Sequence, residues 1–130
     1  MKALIIDDSR AMRMLLRRIV SNNGFEVVEA GHGQEALDVL ASGTLPDIAL
    51  IDWNMPVMDG LSFVNAVRAR PEWRNMTLMM VTTESERTQI VRALAAGAHE
   101  YLIKPFTEDA LMSKFELLGL IGYPAGVVTA

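Results

Sequence analysis

Residues 1–20 have the sequence MKALIIDDSRAMRMLLRRIV, in which an apolar run, an acidic pair and a helical pattern follow one another. The apolar run at residues 3–6 predicts a buried strand. Apolar side chains then recur at intervals of three and four over residues 12–20, which predicts an amphipathic helix. Asp7 and Asp8 lie between the two elements. The stretch therefore predicts a strand and a helix with carboxylates at their junction.

The same order of elements repeats along the chain. Short runs rich in branched aliphatic residues begin 22 to 30 residues apart, which leaves room for a helix between each pair. Such alternation predicts an α/β fold with a parallel sheet, and Glu26 and Glu29 place the second strand at its edge. The predicted strands cover residues 3–6, 25–28, 48–51, 78–81 and 101–103, and the predicted helices cover residues 12–20, 34–40, 61–67, 86–96 and 107–118.

Composition limits the class of protein. The chain has 130 residues, 51% of them hydrophobic, which is typical of one globular domain with a core of its own. The absence of cysteine excludes thiolate zinc sites and cysteine nucleophiles, and a net charge of −4 argues against a nucleic-acid binder. No apolar run reaches the roughly 18 residues of a membrane span, and the amino terminus lacks a signal-peptide pattern. These features predict a cytoplasmic protein.

Polar side chains follow four of the five predicted strands. Asp7 and Asp8 follow the first strand, Asp52 the third, Thr82 the fourth and Lys104 the fifth. Because the carboxyl ends of parallel strands meet at one edge, we expect these side chains to lie together. Carboxylates 4 Å apart repel by about 4 kcal/mol per pair at an effective dielectric near 20. The single positive charge of Lys104 cannot neutralise three carboxylates. The cluster therefore predicts a hard divalent ion such as Mg²⁺ and phosphoryl chemistry.

Each of these residues also has an ordinary structural explanation. Asp7 and Asp8 could cap the first helix, Asp52 could cap the loop that follows it, and Lys104 could be a solvated lysine. Their convergence on one edge favours the functional interpretation.

The first helix also carries Arg10, Arg13 and Arg17, mostly off its apolar stripe. We interpret these arginines as a solvated face, with docking of a phosphotransfer partner as the alternative.

The motifs and their order resemble the receiver domain of two-component response regulators. The resemblance covers residues 3–118 and is closest to single-domain chemotaxis members, which share Glu84 and Tyr101. It implies a flavodoxin-like five-stranded parallel sheet of order 2-1-3-4-5 with helices on both faces, a receiver domain over residues 1–120 and a short tail over residues 121–130. The motifs are Asp7-Asp8, Asp52-Trp53-Asn54-Met55-Pro56, Asp59-Gly60, Thr82 and Lys104-Pro105-Phe106.

The resemblance implies a role for each residue of the acidic cluster. Asp52 would be the phosphoryl acceptor, assisted by Thr82 and Lys104. Asp8 and Asp52 would ligate Mg²⁺ directly, Asp7 would act mainly through water, and the backbone carbonyl of Asn54 would complete the set.

Further residues would tune or transmit the reaction. The Lys104–Pro105 peptide would be cis, and Tyr101 would swing inward when Thr82 moves toward the phosphoryl group. The side chains that would tune phosphorylation and its reversal are those of Asn54, Thr83 and Glu84. Thr83 replaces the smaller residue common in the family.

The implied function is a phospho-accepting signalling protein rather than an enzyme with its own substrate. Its partners would be a sensor histidine kinase or a phosphotransfer protein and a downstream target, with a flagellar switch protein as the expected target. A phosphorelay intermediate or another stand-alone receiver is the alternative. A haloacid-dehalogenase-type phosphatase using Asp7 is a weaker one, because that family needs Asp-x-Asp where this chain has Asp7-Asp8-Ser9.

Overall fold

The computed structural model describes residues 1–122, in which strands and helices alternate as predicted. The strands are β1 (Lys2–Ile6), β2 (Glu26–Ala30), β3 (Ile48–Ile51), β4 (Thr77–Thr82) and β5 (Glu100–Ile103). The helices are α1 (Arg10–Asn22), α2 (Gly33–Ala41), α3 (Gly60–Arg68), α4 (Arg87–Ala96) and α5 (Glu108–Leu117), with a short 3-10 helix, Pro71–Trp73, before β4. Most of the predicted tail, residues 123–130, lies outside the described residues, and the predicted domain boundary at residue 120 stays a prediction.

The five strands form one parallel sheet in the order β2-β1-β3-β4-β5, which confirms the predicted topology and the edge position of β2. The register aligns the carboxyl ends of the central strands. Ile6 lies opposite both Ala30 and Ile51, and Thr82 lies opposite Ile103. The residues that follow these strands therefore leave the sheet at the same edge.

Both faces of the sheet are buried. Successive residues of β1 alternate between two apolar clusters, so Ala3 and Ile5 pack on one face while Leu4 and Ile6 pack on the other. One face is covered by α1 and α5, and the other by α2, α3 and α4. This double burial explains why the central strands lack polar alternation. No helix within residues 1–122 has the length and apolar character needed to cross a membrane.

The second strand begins later than its apolar run predicts. Phe25 is buried and meets the ring of Phe115 edge to face, with 5.3 Å between ring centroids. Its backbone N–H donates to the carbonyl of Val20 near the end of α1. Because Phe25 is occupied in closing this helix, the ladder with β1 starts at Glu26.

The loop between β3 and α3 contains a strained residue. Val57 has a φ of 71° and is 79% exposed, and the Met58 N–H donates to the Pro56 carbonyl at 2.8 Å, which makes a γ-turn. A β-branched residue is disfavoured in such a positive-φ turn, at a cost of roughly 1–3 kcal/mol. Little packing offsets this cost because the side chain faces solvent.

Replacing Val57 with Asn, which tolerates positive φ, is expected to raise the free energy of unfolding by about 1 kcal/mol. Val57→Ile keeps the β-branch and should leave the stability unchanged. Urea unfolding of the two variants and the wild type measures the difference. A Val57→Asn variant no more stable than Val57→Ile would contradict the strain.

Candidate functional site

Backbone hydrogen bonds hold the polar residues that directly follow the strands. The N–H of Asp7 donates to the carbonyl of Ala30 at 3.1 Å, and the N–H of Asp52 donates to that of Ile6 at 2.9 Å. The N–H of Lys104 continues the pattern by donating to the carbonyl of Thr82 at 2.9 Å. These bonds extend the parallel ladder by one residue and fix where each side chain begins.

The three carboxylates predicted to converge do so. Asp7, Asp8 and Asp52 each offer one carboxylate oxygen, and these oxygens all lie within 4.8 Å of one another. Asp7 is 1% and Asp52 8% exposed, whereas Asp8 faces solvent. Carboxylate oxygens at a solvent-accessible edge are the donors that Mg²⁺ prefers, so the residues fit such an ion.

Lys104 lies between the two buried carboxylates. Its Nζ atom is 2.7 Å from Oδ2 of Asp7 and 3.7 Å from Oδ2 of Asp52. The peptide bond from Lys104 to Pro105 is cis. The ammonium therefore offsets part of the repulsion within the cluster.

Both carboxylate oxygens of Asp7 have partners. Oδ1 accepts from the N–H of Ser9 at 2.8 Å, and Oδ2 accepts from Lys104. With no exposed oxygen, Asp7 is poorly placed to act as the nucleophile of a phosphatase. The residue that caps α1 is Ser9, whose hydroxyl accepts from the N–H of Met12 at 3.2 Å. The alternative in which Asp7 and Asp8 cap that helix is wrong.

The environment of Asp52 opposes its ionisation only in part. Burial raises the pKa of Asp52, and the charge of Asp7 raises it further. The Thr82 hydroxyl and the Lys104 ammonium act in the opposite direction, as does the N–H of Trp53, which donates to Oδ1 at 2.8 Å. A cation bound at the cluster would favour the charged form that a nucleophile needs.

Gly60 lets the loop after Asp52 return closely to it. The N–H of Gly60 donates to the carbonyl of Trp53 at 2.8 Å, and a Cβ atom at Gly60 would lie 2.3 Å from the carbonyl oxygen of Asp52. A residue with a side chain would push this loop away from the acidic cluster. Asp59 then caps α3 by accepting from the N–H of Ser62 at 2.8 Å.

Thr82, Glu84 and Tyr101 form a connected path away from Asp52. The buried Thr82 hydroxyl accepts from the N–H of Glu84 at 3.3 Å, and the Tyr101 hydroxyl donates to the carbonyl of Glu84 at 2.7 Å. Burial, together with the nearby carboxylates of Glu84 and Asp52, raises the pKa of Tyr101 to about 12.

Tyr101 is 8% exposed, and it already packs in the core. Tyr101 therefore already occupies the inward position expected only after Thr82 moves. At this buried position its hydroxyl donates to the Glu84 carbonyl. Of the three residues expected to tune the reaction, Asn54 and Thr83 are exposed and Glu84 is half-buried.

Arg13 contributes to the site in a way that the sequence did not reveal. Its Nη1 donates to the backbone carbonyl of Asp7 at 2.5 Å, and its Nε donates to Glu29 at 3.2 Å. Arg17 pairs with the other oxygen of Glu29 at 2.7 Å. Arg13 is half-buried, so its interpretation as part of a solvated face is wrong, whereas Arg10 and Arg17 are exposed as that interpretation expects. Glu29 lies 16 residues beyond Arg13, so no local spacing indicates this contact.

Known proteins are similar to this chain in both sequence and fold. A sequence model of the response regulator receiver domain matches residues 3–116. The chain belongs to this family. The predicted recognition and fold are thereby confirmed.

Several relatives are chemotaxis proteins. A CheY homolog of Campylobacter jejuni is 41% identical over 117 residues, which is 89% of this chain and 90% of that protein. CheY1 of Helicobacter pylori strain J99 is 40% identical over 119 residues, covering 91% of this chain and 96% of that protein. The structure of CheY4 of Vibrio cholerae matches with a TM-score of 0.83 and 34% identity, over 90% of this chain and 97% of the other. The receiver domain thus has a signalling role.

Mg²⁺ is expected to bind at the cluster and to change the fluorescence of Trp53, which follows Asp52 directly. Asp8→Ala should weaken this binding by about tenfold or more, because it removes the exposed carboxylate. Asp38→Ala, a loss of the same charge on α2, should leave the dissociation constant within about twofold. A titration with MgCl₂ at constant ionic strength gives the constants. An unchanged response in Asp8→Ala would remove Asp8 from the metal site.

Proposed function

We propose that this protein accepts a phosphoryl group on Asp52 from a histidine kinase or phosphotransfer protein and thereby changes its affinity for a downstream partner. One observation carries the proposal. The Asp52 carboxylate lies within a cluster that also contains two further carboxylates, the Lys104 ammonium and the Thr82 hydroxyl. This set combines a nucleophile, ligands for a cation and donors for phosphoryl oxygens.

The proposed transfer is a displacement at phosphorus. A carboxylate oxygen of Asp52 forms the new P–O bond while the P–N bond of a phosphohistidine breaks, and the imidazole nitrogen keeps the electron pair. Charge spreads over the equatorial oxygens in such a transition state, so fixed donors contribute most of the stabilisation. Lys104 and Thr82 lie beside Asp52 and would supply these donors.

Asp8 and Asp52, together with the backbone carbonyl of Asn54, would hold the Mg²⁺ ion. When bound, the ion supplies positive charge against the carboxylates and the incoming phosphoryl oxygens. Asp7 would act less directly, because Lys104 and the N–H of Ser9 already occupy its oxygens. We further propose that Asn54 and Glu84 tune hydrolysis of the aspartyl phosphate, whereas Thr83 limits access of small phosphodonors.

Asp52→Asn keeps the shape of the side chain and removes its anionic nucleophile, so it is expected to lower the initial rate of phosphorylation by at least about a hundredfold. Asp38→Asn removes an equal charge from the exposed side of α2 and should be phosphorylated at the wild-type rate. Transfer of ³²P from a phosphorylated kinase measures both rates. Labelling of Asp52→Asn at the wild-type rate would sink the assignment of the acceptor.

The proposed output surface consists of α4, β5 and α5. The path from Thr82 through Glu84 to Tyr101 ends beside it, and exposed apolar side chains of Val91 and Ile103 lie on it. Attraction of the Thr82 hydroxyl to a phosphoryl group would break its contact with the N–H of Glu84. The carbonyl of Glu84 holds Tyr101, so the packing of that ring against α4 would change with it.

Thr82→Ala is expected to accept phosphate on Asp52 but to lose most of the phosphorylation-dependent gain in partner affinity, a gain of about tenfold or more in the wild type. Ser21→Ala removes an exposed hydroxyl near the end of α1, away from the acidic cluster, and should retain the gain. The measurement is binding to a flagellar switch protein with and without beryllofluoride, a phosphoryl mimic. Equal enhancement in Thr82→Ala and wild type would eliminate Thr82 as the coupling residue.

The relatives in C. jejuni and H. pylori support chemotaxis as the pathway. We propose that the protein works in the cytoplasm, with a flagellar switch protein as its target, and that it assists its own phosphorylation and dephosphorylation without acting on another substrate. The proposed partners are proteins, and they include neither nucleic acid nor a membrane. A phosphorelay intermediate remains the alternative, and failure of the beryllofluoride-treated protein to bind the switch protein would favour it.

A further inference from the structure

Asp7 has a hydrogen-bond partner for its N–H, for both carboxylate oxygens and for its carbonyl, which belongs to the Asp7–Asp8 peptide. The Asp7 N–H bonds to Ala30, and its carboxylate bonds to Ser9 and Lys104. The carbonyl accepts from Nη1 of Arg13 at 2.5 Å. Asp7 is therefore held at every polar atom.

Asp8 is held differently. Within residues 1–122 its carboxylate accepts no hydrogen bond, and the residue faces solvent. Its position therefore depends on the backbone that precedes it, and above all on the orientation of the Asp7–Asp8 peptide plane. The Arg13 guanidinium bonds to the carbonyl of this peptide.

Arg13 is itself held in place. Its Nε atom bonds to Oε1 of Glu29 on β2, and the other oxygen of Glu29 accepts from Arg17 at 2.7 Å. The side chains of Arg13 and Glu29 are 20% and 27% exposed, so the pair is partly shielded from solvent. The planar guanidinium can bond to the carboxylate and the carbonyl at once, which a lysine ammonium at this position would do with less directional control.

We propose that Arg13 is a positioning residue for the cation site, oriented by Glu29, which holds the Asp7–Asp8 peptide so that the Asp8 carboxylate faces Asp52. The inference rests on the proposed Mg²⁺ site. It adds to that site a residue that does not bind the ion itself but orients a residue that does.

The sign of the effect separates positioning from simple electrostatics. Arg13 is a cation near a cation site, so through charge alone it would repel Mg²⁺, and its removal would tighten binding. Positioning predicts the reverse, because a freed peptide lets the Asp8 carboxylate turn away. Outer contacts that orient metal ligands commonly change metal affinity by about 10- to 100-fold, and a contact acting through the backbone should have a smaller effect.

The experiment compares Arg13→Met, Arg13→Lys and the charge-matched control Arg10→Met. Arg10 lies two residues after Asp8 and, within the described chain, makes no side-chain hydrogen bond or ion pair. The readout is the Mg²⁺ dissociation constant from Trp53 fluorescence at constant ionic strength, with urea unfolding of each variant alongside. Arg13→Met is expected to raise the constant by about three- to tenfold. Arg10→Met should leave it unchanged or lower it.

Arg13→Lys retains the charge and keeps the result decisive if Arg13→Met folds poorly. Lysine lacks the planar fork, so the constant should still rise by about threefold. A second arm tests Glu29: Glu29→Gln should weaken Mg²⁺ binding more in the wild type than in Arg13→Met, because the two side chains act as one unit.

Two results would overturn the inference. An Mg²⁺ dissociation constant that falls in Arg13→Met as in Arg10→Met would show that charge alone acts. Lower urea midpoints with unchanged Mg²⁺ constants in both Arg13 variants would show a merely structural ion pair. Both results presuppose that the wild type responds to Mg²⁺ and that this response depends on Asp8. If the wild type itself does not respond to Mg²⁺, the proposed function fails, and the role of Arg13 fails with it.

Discussion

The Lys104 ammonium, placed between the buried carboxylates of Asp7 and Asp52, is the interaction on which the functional edge depends. At 2.7 Å and 3.7 Å it reaches both acids, and these acids end two neighbouring central strands. Without a cation the two negative charges would repel within a largely desolvated space, where charge interactions are stronger than in water. The same ammonium becomes a donor for a phosphoryl group in the proposed function, so one side chain serves both stability and chemistry.

Parallel topology makes this arrangement possible. In a parallel sheet every strand ends at the same edge, and Ile6 and Ile51 end β1 and β3 side by side, so Asp7 and Asp52 come together although they are far apart in the chain. Helices on both faces bury the strands, and this rigid support holds loops that are themselves polar and exposed. The strained turn at Val57 and the close return at Gly60 belong to one such loop.

Two lines of contact leave the acidic cluster in opposite directions. One passes from Thr82 through Glu84 to Tyr101 and reaches the β5 edge of the sheet. The other passes from the carbonyl of Asp7 to Arg13 and Glu29 and reaches the β2 edge. In our proposals the first line transmits the phosphorylated state and the second holds the cation site in shape. These proposals place the output of this protein and the support of its chemistry on opposite sides of the acidic cluster.

The sequence by itself determined the order of elements, the parallel sheet and the convergence of Asp7, Asp8 and Asp52. Apolar runs and helical spacing are local patterns, and the ends of parallel strands must meet whatever the details of packing. Only the tertiary structure decided that Phe25 lies outside β2, that Tyr101 is already buried and that Glu29 holds Arg13 beside the carbonyl of Asp7. Tyr101 bonds to the Glu84 carbonyl and Arg13 to Glu29, partners 17 and 16 residues away, and the ring of Phe25 packs on the more distant Phe115. No local spacing encodes such pairs.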